Sequence, residues 1–462
     1  MRILLIYPNI TDYPIDVSYG LTAISAFLRN SGHTVRLVDF TFGVKRKDIQ
    51  SIAGEFLPNI IGIPVASNDF EFTVEICNLL KLTTDVPIVA GGFHTTMAPE
   101  DILAEKCFDI AVIGEGEHSL LEIVQAKNHD DFYHRLHEIP GIWFRENGCV
   151  VRNPLRPLNR DINSLPFPDK SIYDYQKYIN INRGIATFIT SYGCPFKCSY
   201  CINSALMKRY GKKNYVRYKS VDYLINEIKS VLGKYKVREI EFYDDTFIMD
   251  NERTSQFCSI YPKDIGLPFY INSRVDTLNR KVVQQLKNAG CVRISMGIET
   301  GDPYVRNDIL KRNQSDSEII EAFTIVREAG MKTLSYSMVG IPYETKESIQ
   351  KTIDLNRACR PDFVTISIFN AYKGTEIYEV CKKNGWLSHD KGLAYFQTSN
   401  IRHPEFSLNE LKNIRDRFGY EVFKHYNHQR AVIDLIDKRM LKNRLYQRYR
   451  SFLIQHGVKK IL

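Results

Sequence analysis

Apolar runs of strand length alternate with amphipathic stretches of helical length twice along this chain, and that alternation leaves few folds open. The first series spans residues 1–126. Its strand candidates are Arg2–Tyr7, Thr34–Phe40, Asn59–Val65, Val86–Ala90 and Asp109–Ile113, with helical stretches such as Leu21–Arg29 and Phe72–Leu80 between them. Apolar character that is continuous, rather than alternating, marks strands buried on both faces. Five such strands with helical crossovers predict a doubly wound, Rossmann-like parallel sheet, a fold that binds ligands beyond the carboxyl ends of its strands. The second series begins at Gly184. It reads as strands at Ile185–Thr190, Glu239–Tyr243, Phe269–Asn272, Val292–Met296, Thr333–Val339 and Phe363–Ile368, separated by helices at Val221–Leu232, Arg280–Ala289, Ser315–Ala329 and Glu347–Cys359. Six strand–helix repeats predict an open or partial (β/α)6 barrel with its chemistry at the carboxyl-end face.

Between the two series, Gly141–Phe144 and Cys149–Arg152 flank Glu146-Asn147-Gly148, a hairpin turn. Asn153 to Tyr178 holds four prolines (154, 157, 166 and 168) and little periodicity. The expected division is residues 1–130 as the first domain, a hairpin and proline-rich linker over 131–183, the barrel over 184–385, and a helical, basic region over 386–462.

Composition narrows the function. With 44% apolar and 25% charged residues the chain is globular rather than disordered. Its longest nearly apolar run, Leu57 to Ala66, is too short to span a bilayer. Tyr7-Pro8-Asn9 breaks the opening apolar run before it reaches signal-peptide length. Ten cysteines in such a chain point to reduced thiols or a metal centre, and the cytoplasm is the expected compartment. The net charge of +9 would favour nucleic acid if it were spread along the chain. Residues 409–462, however, carry 13 Lys/Arg against 5 Asp/Glu, so the remainder is near neutral and no nucleic-acid partner is expected. In that tail Val432, Ile433, Leu435, Ile436, Met440, Leu441, Leu445, Tyr449, Phe452 and Leu453 follow a helical repeat interleaved with cations. The pattern fits a helix packed on the barrel with a solvated basic face. It also fits an interfacial helix in peripheral contact with anionic lipid.

The chemistry concentrates in Cys194-Pro195-Phe196-Lys197-Cys198-Ser199-Tyr200-Cys201, a C-x3-C-x2-C spacing directly after the first strand of the second series. Three thiolates within eight residues can converge on one soft metal centre. Zinc wants four ligands, and no histidine lies between His137 and His389, while the next cysteine is Cys258. Three cysteines without a fourth suit a four-iron cluster with one iron left open; zinc and coincidence stay open on spacing alone.

The loop and the segments after it resemble the radical S-adenosylmethionine (SAM) superfamily, over about Gly184 to Asn384. The resemblance implies a [4Fe-4S] cluster on Cys194, Cys198 and Cys201, its open iron chelated by SAM and its reduction yielding a 5′-deoxyadenosyl radical. It implies that Tyr200 lies beside the adenine. Asp244 and Asp245, in Glu241-Phe242-Tyr243-Asp244-Asp245, would meet the methionine amino group. Arg274, in Asn272-Ser273-Arg274, would meet the methionine carboxylate, and Glu299, in Gly297-Ile298-Glu299-Thr300-Gly301, the ribose hydroxyls. Gly340-Ile341-Pro342-Tyr343-Glu344-Thr345 is similar to the fifth-strand turn, usually Gly-x-Pro-Gly-Glu-Thr. Tyr372-Lys373-Gly374-Thr375 departs from the sixth-strand pattern.

In the first domain, Gly91-Gly92-Phe93-His94-Thr95-Thr96 and Gly114-Glu115-Gly116-Glu117 follow the fourth and fifth strands. Paired glycines at strand ends let backbone approach a large flat or phosphate-bearing ligand. The spacing is not that of a dinucleotide fingerprint. With Tyr7-Pro8-Asn9, these turns make residues 1–130 resemble the cobalamin-binding domain that precedes the barrel in a large radical SAM subfamily, the class B methyltransferases. That resemblance implies cobalamin contacts at Pro8, Asn9, Gly91, Gly92, His94, Glu115 and Gly116. The Asp-x-His-x-x-Gly loop that supplies a histidine to cobalt elsewhere is absent, so the expectation is cobalamin with its own base displaced and no protein histidine on the metal.

The function so implied is methyl transfer to an unactivated carbon of a small-molecule or natural-product substrate, with an electron donor such as flavodoxin or ferredoxin. An oxidative cyclase or rearrangement enzyme with the same cofactors is the alternative. A tRNA methylthiotransferase would need a second cysteine cluster at strand ends, where Cys77, Cys107 and Cys149 do not lie. A non-enzymatic cobalamin sensor would not need the cluster loop.

Overall fold

The computed structural model describes residues 1–10, 17–213, 215–388 and 398–440. The chain divides into two compact units, Met1–Tyr178 and Ile179–Leu462.

In the first unit, β1 (Arg2–Tyr7), β2 (Thr34–Asp39), β3 (Ile60–Pro64), β4 (Ile88–Gly91) and β5 (Ile110–Val112) pair in parallel, in the order β2-β1-β3-β4-β5. Successive side chains of a strand point to opposite faces, so β1 feeds two cores. Leu4 and Ile6 join the apolar cluster under Phe72, Ile76 and Ile102, while Ile3 and Leu5 join the one under Leu21, Leu120 and Ile123. Helices thus cover both faces, the doubly wound arrangement read from the sequence.

The hairpin is not part of a linker. Its strands β6 (Ile142–Glu146) and β7 (Cys149–Arg152) extend the sheet antiparallel from β5, with Ile110 opposite Phe144, and Ile142 and Phe144 are wholly buried. The proline-rich stretch is also docked on this unit. Asp169 accepts from Ser25 and Arg29, both at 2.8 Å, and the Tyr178 hydroxyl lies 2.7 Å from the Asp39 carboxylate. The expected boundaries at 130 and 183 are therefore replaced by one after Tyr178. Periodicity could not show this, because polar and aromatic contacts hold the segment rather than an apolar stripe.

The second unit holds β8 (Ile185–Phe188), β9 (Glu239–Phe242), β10 (Phe269–Ser273), β11 (Cys291–Glu299), β12 (Lys332–Val339) and β13 (Phe363–Ile368). All pair in parallel and in sequence order, forming the expected six-stranded half-barrel sheet. One face packs on the crossover helices through Phe242, Phe257, Tyr261 and Phe269, whose rings meet at centroid distances of 4.9–6.3 Å. In-register neighbours of a parallel sheet share a face, so Thr187, Glu241, Tyr270 and Arg293 line the other face, with Asn272, Ser295 and Tyr336. That inner face is polar, and Arg293 Nη2 reaches Glu241 Oε1 at 2.6 Å across it.

Residues after the barrel pack on it. Leu411, Phe418, Val422, Phe423 and Ala431, from helices Leu408–Phe423 and His428–Met440, share a core with Val339, Ile366 and Ile368. Within the last helix Val432, Ile433, Ile436 and Met440 are exposed. The expected continuation of its apolar repeat, from Leu441 to Leu453, lies outside the described residues. Among the described residues no helix is long and apolar enough to cross a membrane.

Candidate active site

The cysteine loop leaves β8 at its carboxyl end and is fixed from below. Gly193 takes φ +85°, and a Cβ there would stand 2.8 Å from the Tyr215 carbonyl oxygen, so only glycine lets the chain pass. Asp244, after β9 and 1% exposed, accepts from the Thr190 N–H at 3.1 Å on both oxygens, from the Thr190 hydroxyl at 3.0 Å and from Ser191. Burial pushes its carboxyl up, and these donors pull it back. Asp244 thus anchors the root of the cysteine loop. Its neighbour Asp245 faces solvent and accepts from Asn203 Nδ2 at 2.8 Å.

Cys194 and Cys198 are buried and Cys201 half-buried. Burial pushes the Cys194 thiol up to about 11, with the charges of Asp245 and Cys198 adding and Arg274 opposing. Burial likewise pushes Cys201 up to about 12. The three sulfurs act on one another electrostatically, yet among the described residues no three His, Cys, Asp or Glu side chains converge as a single ion requires. Three thiols within eight residues match the ligand count of a four-iron cluster with one open iron and fall one short of the four that structural zinc takes.

Beside the loop lies a buried polar knot. Glu299 ends β11 past a register shift, with φ +63°. Its Oε1 accepts from the Tyr200 hydroxyl at 3.2 Å and from Arg312 Nη1 at 3.0 Å. Arg312 also donates to the Tyr200 oxygen at 2.9 Å, to the Gly297 carbonyl at 2.9 Å and to Gln314 Oε1 at 3.1 Å. Burial works to lower the Arg312 pKa, but Tyr200 and Glu299 beside it raise it, so the guanidinium stays charged. Such a buried pair is tolerable only because nearly every donor is matched.

The Arg274 guanidinium meets Cys198 Sγ and the Asp276 carboxylate. Glu344, in the fifth-strand turn, is fully buried, with Oε2 accepting from the N–H of Gly340 and Ile341. Tyr343 stands in that turn at φ +67°, where the usual pattern has glycine, its ring edge-on to Trp386 at 5.0 Å.

Arg312, Asn203 and Asp276 were not among the residues the sequence singled out. Arg312 lies between Lys311 and Asn313, which adopt left-handed φ of +57° and +52°, a conformation that Asn takes far more readily than Lys.

In the first unit the predicted ligand residues gather where parallel strands end. Pro8 and Asn9 follow β1 and are buried, and Asn9 Nδ2 donates to Thr41 Oγ1 at 3.0 Å. Gly91 ends β4. Gly92 takes φ +93°, where a Cβ would meet the Val65 carbonyl oxygen at 3.1 Å. Glu115 Oε2 accepts the Asn159 N–H at 2.9 Å, and Gly116 opens the helix Gly116–Ala126. His94 points inward: it is 8% exposed, Nδ1 lies 2.9 Å from Ser67 Oγ, Nε2 lies 3.7 Å from the Asp101 carboxylate, and the ring leans on Phe70. Phe93 beside it is 64% exposed.

Comparison with known proteins agrees with both units. Residues 188–355 match the radical SAM superfamily model, and residues 16–124 match the B12 binding domain model. The uncharacterized methyltransferase PH0819 of Pyrococcus horikoshii is 30% identical over 397 residues, covering 84% of each chain. The chain belongs to the cobalamin-binding radical SAM family. As a radical SAM enzyme of this family it works with a [4Fe-4S] cluster, SAM and cobalamin. The anaerobic magnesium-protoporphyrin IX monomethyl ester cyclase of Rubrivivax gelatinosus is 24% identical, over 82% of this chain and 70% of its own. In fold the radical SAM enzyme is similar to the methyltransferase TsrM of Kitasatospora setae (TM-score 0.69, 18% identity, 84% of this chain and 77% of that one). It is similar also to the cobalamin-dependent enzyme OxsB (TM-score 0.72, 17% identity, 100% and 76%).

Proposed function

We propose that this radical SAM enzyme is a methyltransferase acting at an unactivated carbon of a small molecule. The observation that carries the reading is the cysteine loop walled by the Tyr200–Glu299–Arg312 knot, on a chain that also matches the B12 binding domain. When bound, the cluster and SAM supply a hydrogen-abstracting radical, and cobalamin supplies the methyl group.

The side chains have these roles. Cys194, Cys198 and Cys201 hold three irons. Glu299 and Tyr200 take the ribose and adenine side of SAM, and Arg312 holds Glu299 in place. Asp245, rather than the saturated Asp244, meets the methionine amino group. Pro8, Asn9, Gly91, Gly92, Glu115 and Gly116 form the cobalamin edge. His94, buried against Ser67, Asp101 and Phe70, would not serve as a ligand to cobalt: electron paramagnetic resonance of the cobalamin-loaded protein should show the same absence of protein-derived nitrogen splitting in wild type and in His94→Ala. A flavodoxin or ferredoxin delivers electrons. The exposed Val432, Ile433, Ile436 and Met440, followed by the basic tail, support peripheral contact with anionic lipid.

The 24% identity to the cyclase supports a second reading, oxidative ring formation with the same cofactors. Anaerobic reconstitution with methyl-labelled SAM and a reductant separates the two. Methyl transfer gives both 5′-deoxyadenosine and S-adenosylhomocysteine. 5′-Deoxyadenosine with all of the label recovered in methionine, and no S-adenosylhomocysteine, favours the cyclase. A four-iron protein that forms neither overturns both.

A further inference from the structure

Arg274 follows β10, is 6% exposed, and has every side of its guanidinium engaged. Nη1 donates to Cys198 Sγ at 3.3 Å. Nε and Nη2 donate to the two oxygens of Asp276 at 3.0 and 2.8 Å, and Nη2 also to the Arg312 carbonyl at 3.1 Å. The guanidinium lies 3.8 Å from the ring centroid of Phe196, the residue midway between Cys194 and Cys198. Asp276 is held in turn by Gln314 Nε2 at 3.1 Å.

We propose that Arg274 is a positioning residue that raises the reduction potential of the cluster through Cys198, with Asp276 as the counter-charge that limits the rise. The inference rests on reading Cys194, Cys198 and Cys201 as the cluster ligands. Reduction brings one electron from a donor protein carrying a flavin or iron–sulfur centre. No bond forms or breaks and no proton moves, so the cluster and its thiolates gain one negative charge. A hydrogen bond to a ligand sulfur and a nearby buried cation stabilise the more negative state more than the oxidised one. Water does not screen the interaction, because Arg274 and Cys198 are both buried. Asp276 acts with the opposite sign. A methionine carboxylate would have to displace Asp276 to use the same donors.

A residue that merely braced the loop would change cluster occupancy or melting temperature. It would not move the potential in opposite directions with its partner. The test uses full-length wild type, Arg274→Gln, Arg274→Lys and Asp276→Asn, each reconstituted anaerobically, assayed for iron, and titrated potentiometrically while the reduced-cluster resonance is followed. The midpoint potential should fall in Arg274→Gln, rise in Asp276→Asn, and lie between wild type and Arg274→Gln in Arg274→Lys, with iron unchanged. Unchanged potentials, or shifts of one sign in both partners, overturn the proposal. If Arg274→Gln loses iron, Asp276→Asn decides alone, and no rise there overturns it. Wild type failing to reach four irons would instead sink the assignment of the cysteines.

Discussion

The acid that ends β11 is held by a contact that leaves no spare volume. A Cβ on Gly297 would stand 2.2 Å from Glu299 Oε1 and 3.3 Å from Arg312 Nη2. Gly297→Ala must therefore push the Glu299 carboxylate off Tyr200 and Arg312. Overpacking of this kind costs about 1–3 kcal/mol, and misplacing the acid should weaken SAM binding by about tenfold or more. Isothermal titration with SAM checks this, and affinity equal to wild type would show that Glu299 does not touch the nucleoside. Glu344 offers a pH test. Burial pushes its carboxyl from 4.5 to about 8 in the folded protein. The folded state then holds the proton more tightly than the unfolded one, so its stabilising contribution is complete below pH 4.5 and drains away as pH rises to about 8. The loss is on the order of 3–5 kcal/mol. Glu344→Gln should flatten the decline in melting temperature across that window, whereas a slope as steep as wild type would assign the titration to another group.

Among the elements, the last helix makes the sharpest prediction. Val432, Ile433, Ile436 and Met440 leave an apolar stripe in solvent, and residues 438–462 carry eight Lys/Arg with no Asp/Glu. Full-length protein should float with vesicles of anionic phospholipid at low salt and be released at high salt, while a chain ending at residue 437 stays at the bottom of the gradient. No flotation at low salt would leave the stripe as ordinary surface. The strands were the most legible elements, because a buried parallel strand is a continuous apolar run: Arg2–Tyr7 and Phe363–Ile368 have the bounds the pattern implies. β11 runs to Glu299 rather than stopping at Met296, since Gly297 reads as a terminator but serves to admit a carboxylate. The helix Asn251–Asp264 was hidden by its Pro262 and weak amphipathicity. In the site, residues at strand ends announced themselves by spacing. The inward Arg312 and the bond from Arg274 to sulfur did not, because each depends on a backbone turn or a neighbour distant in sequence.

For the whole molecule, the division after Tyr178 predicts what can be expressed alone. Residues 1–178 carry a complete sheet, two apolar clusters and the docked proline-rich segment. They should melt as one cooperative unit. A chain ending at residue 130 loses β6 and β7, and with Ile142 and Phe144 forfeits roughly 1.5–3 kcal/mol for each buried side chain. It should melt far lower or aggregate along the bared edge of β5. Equal melting temperatures for the two fragments, followed by circular dichroism, would contradict the assignment of the hairpin to this unit. The second sheet has a different consequence, for biosynthesis. Its strands pair in the order in which they are made, so the half-barrel can grow strand by strand as the chain leaves the ribosome. The cysteine loop emerges just after the first of these strands. Asp244, Arg274, Glu299 and Arg312, the residues that wall it in, are synthesised only later. The three thiols are therefore synthesised before the side chains that come to bury Cys194 and Cys198 in the finished fold.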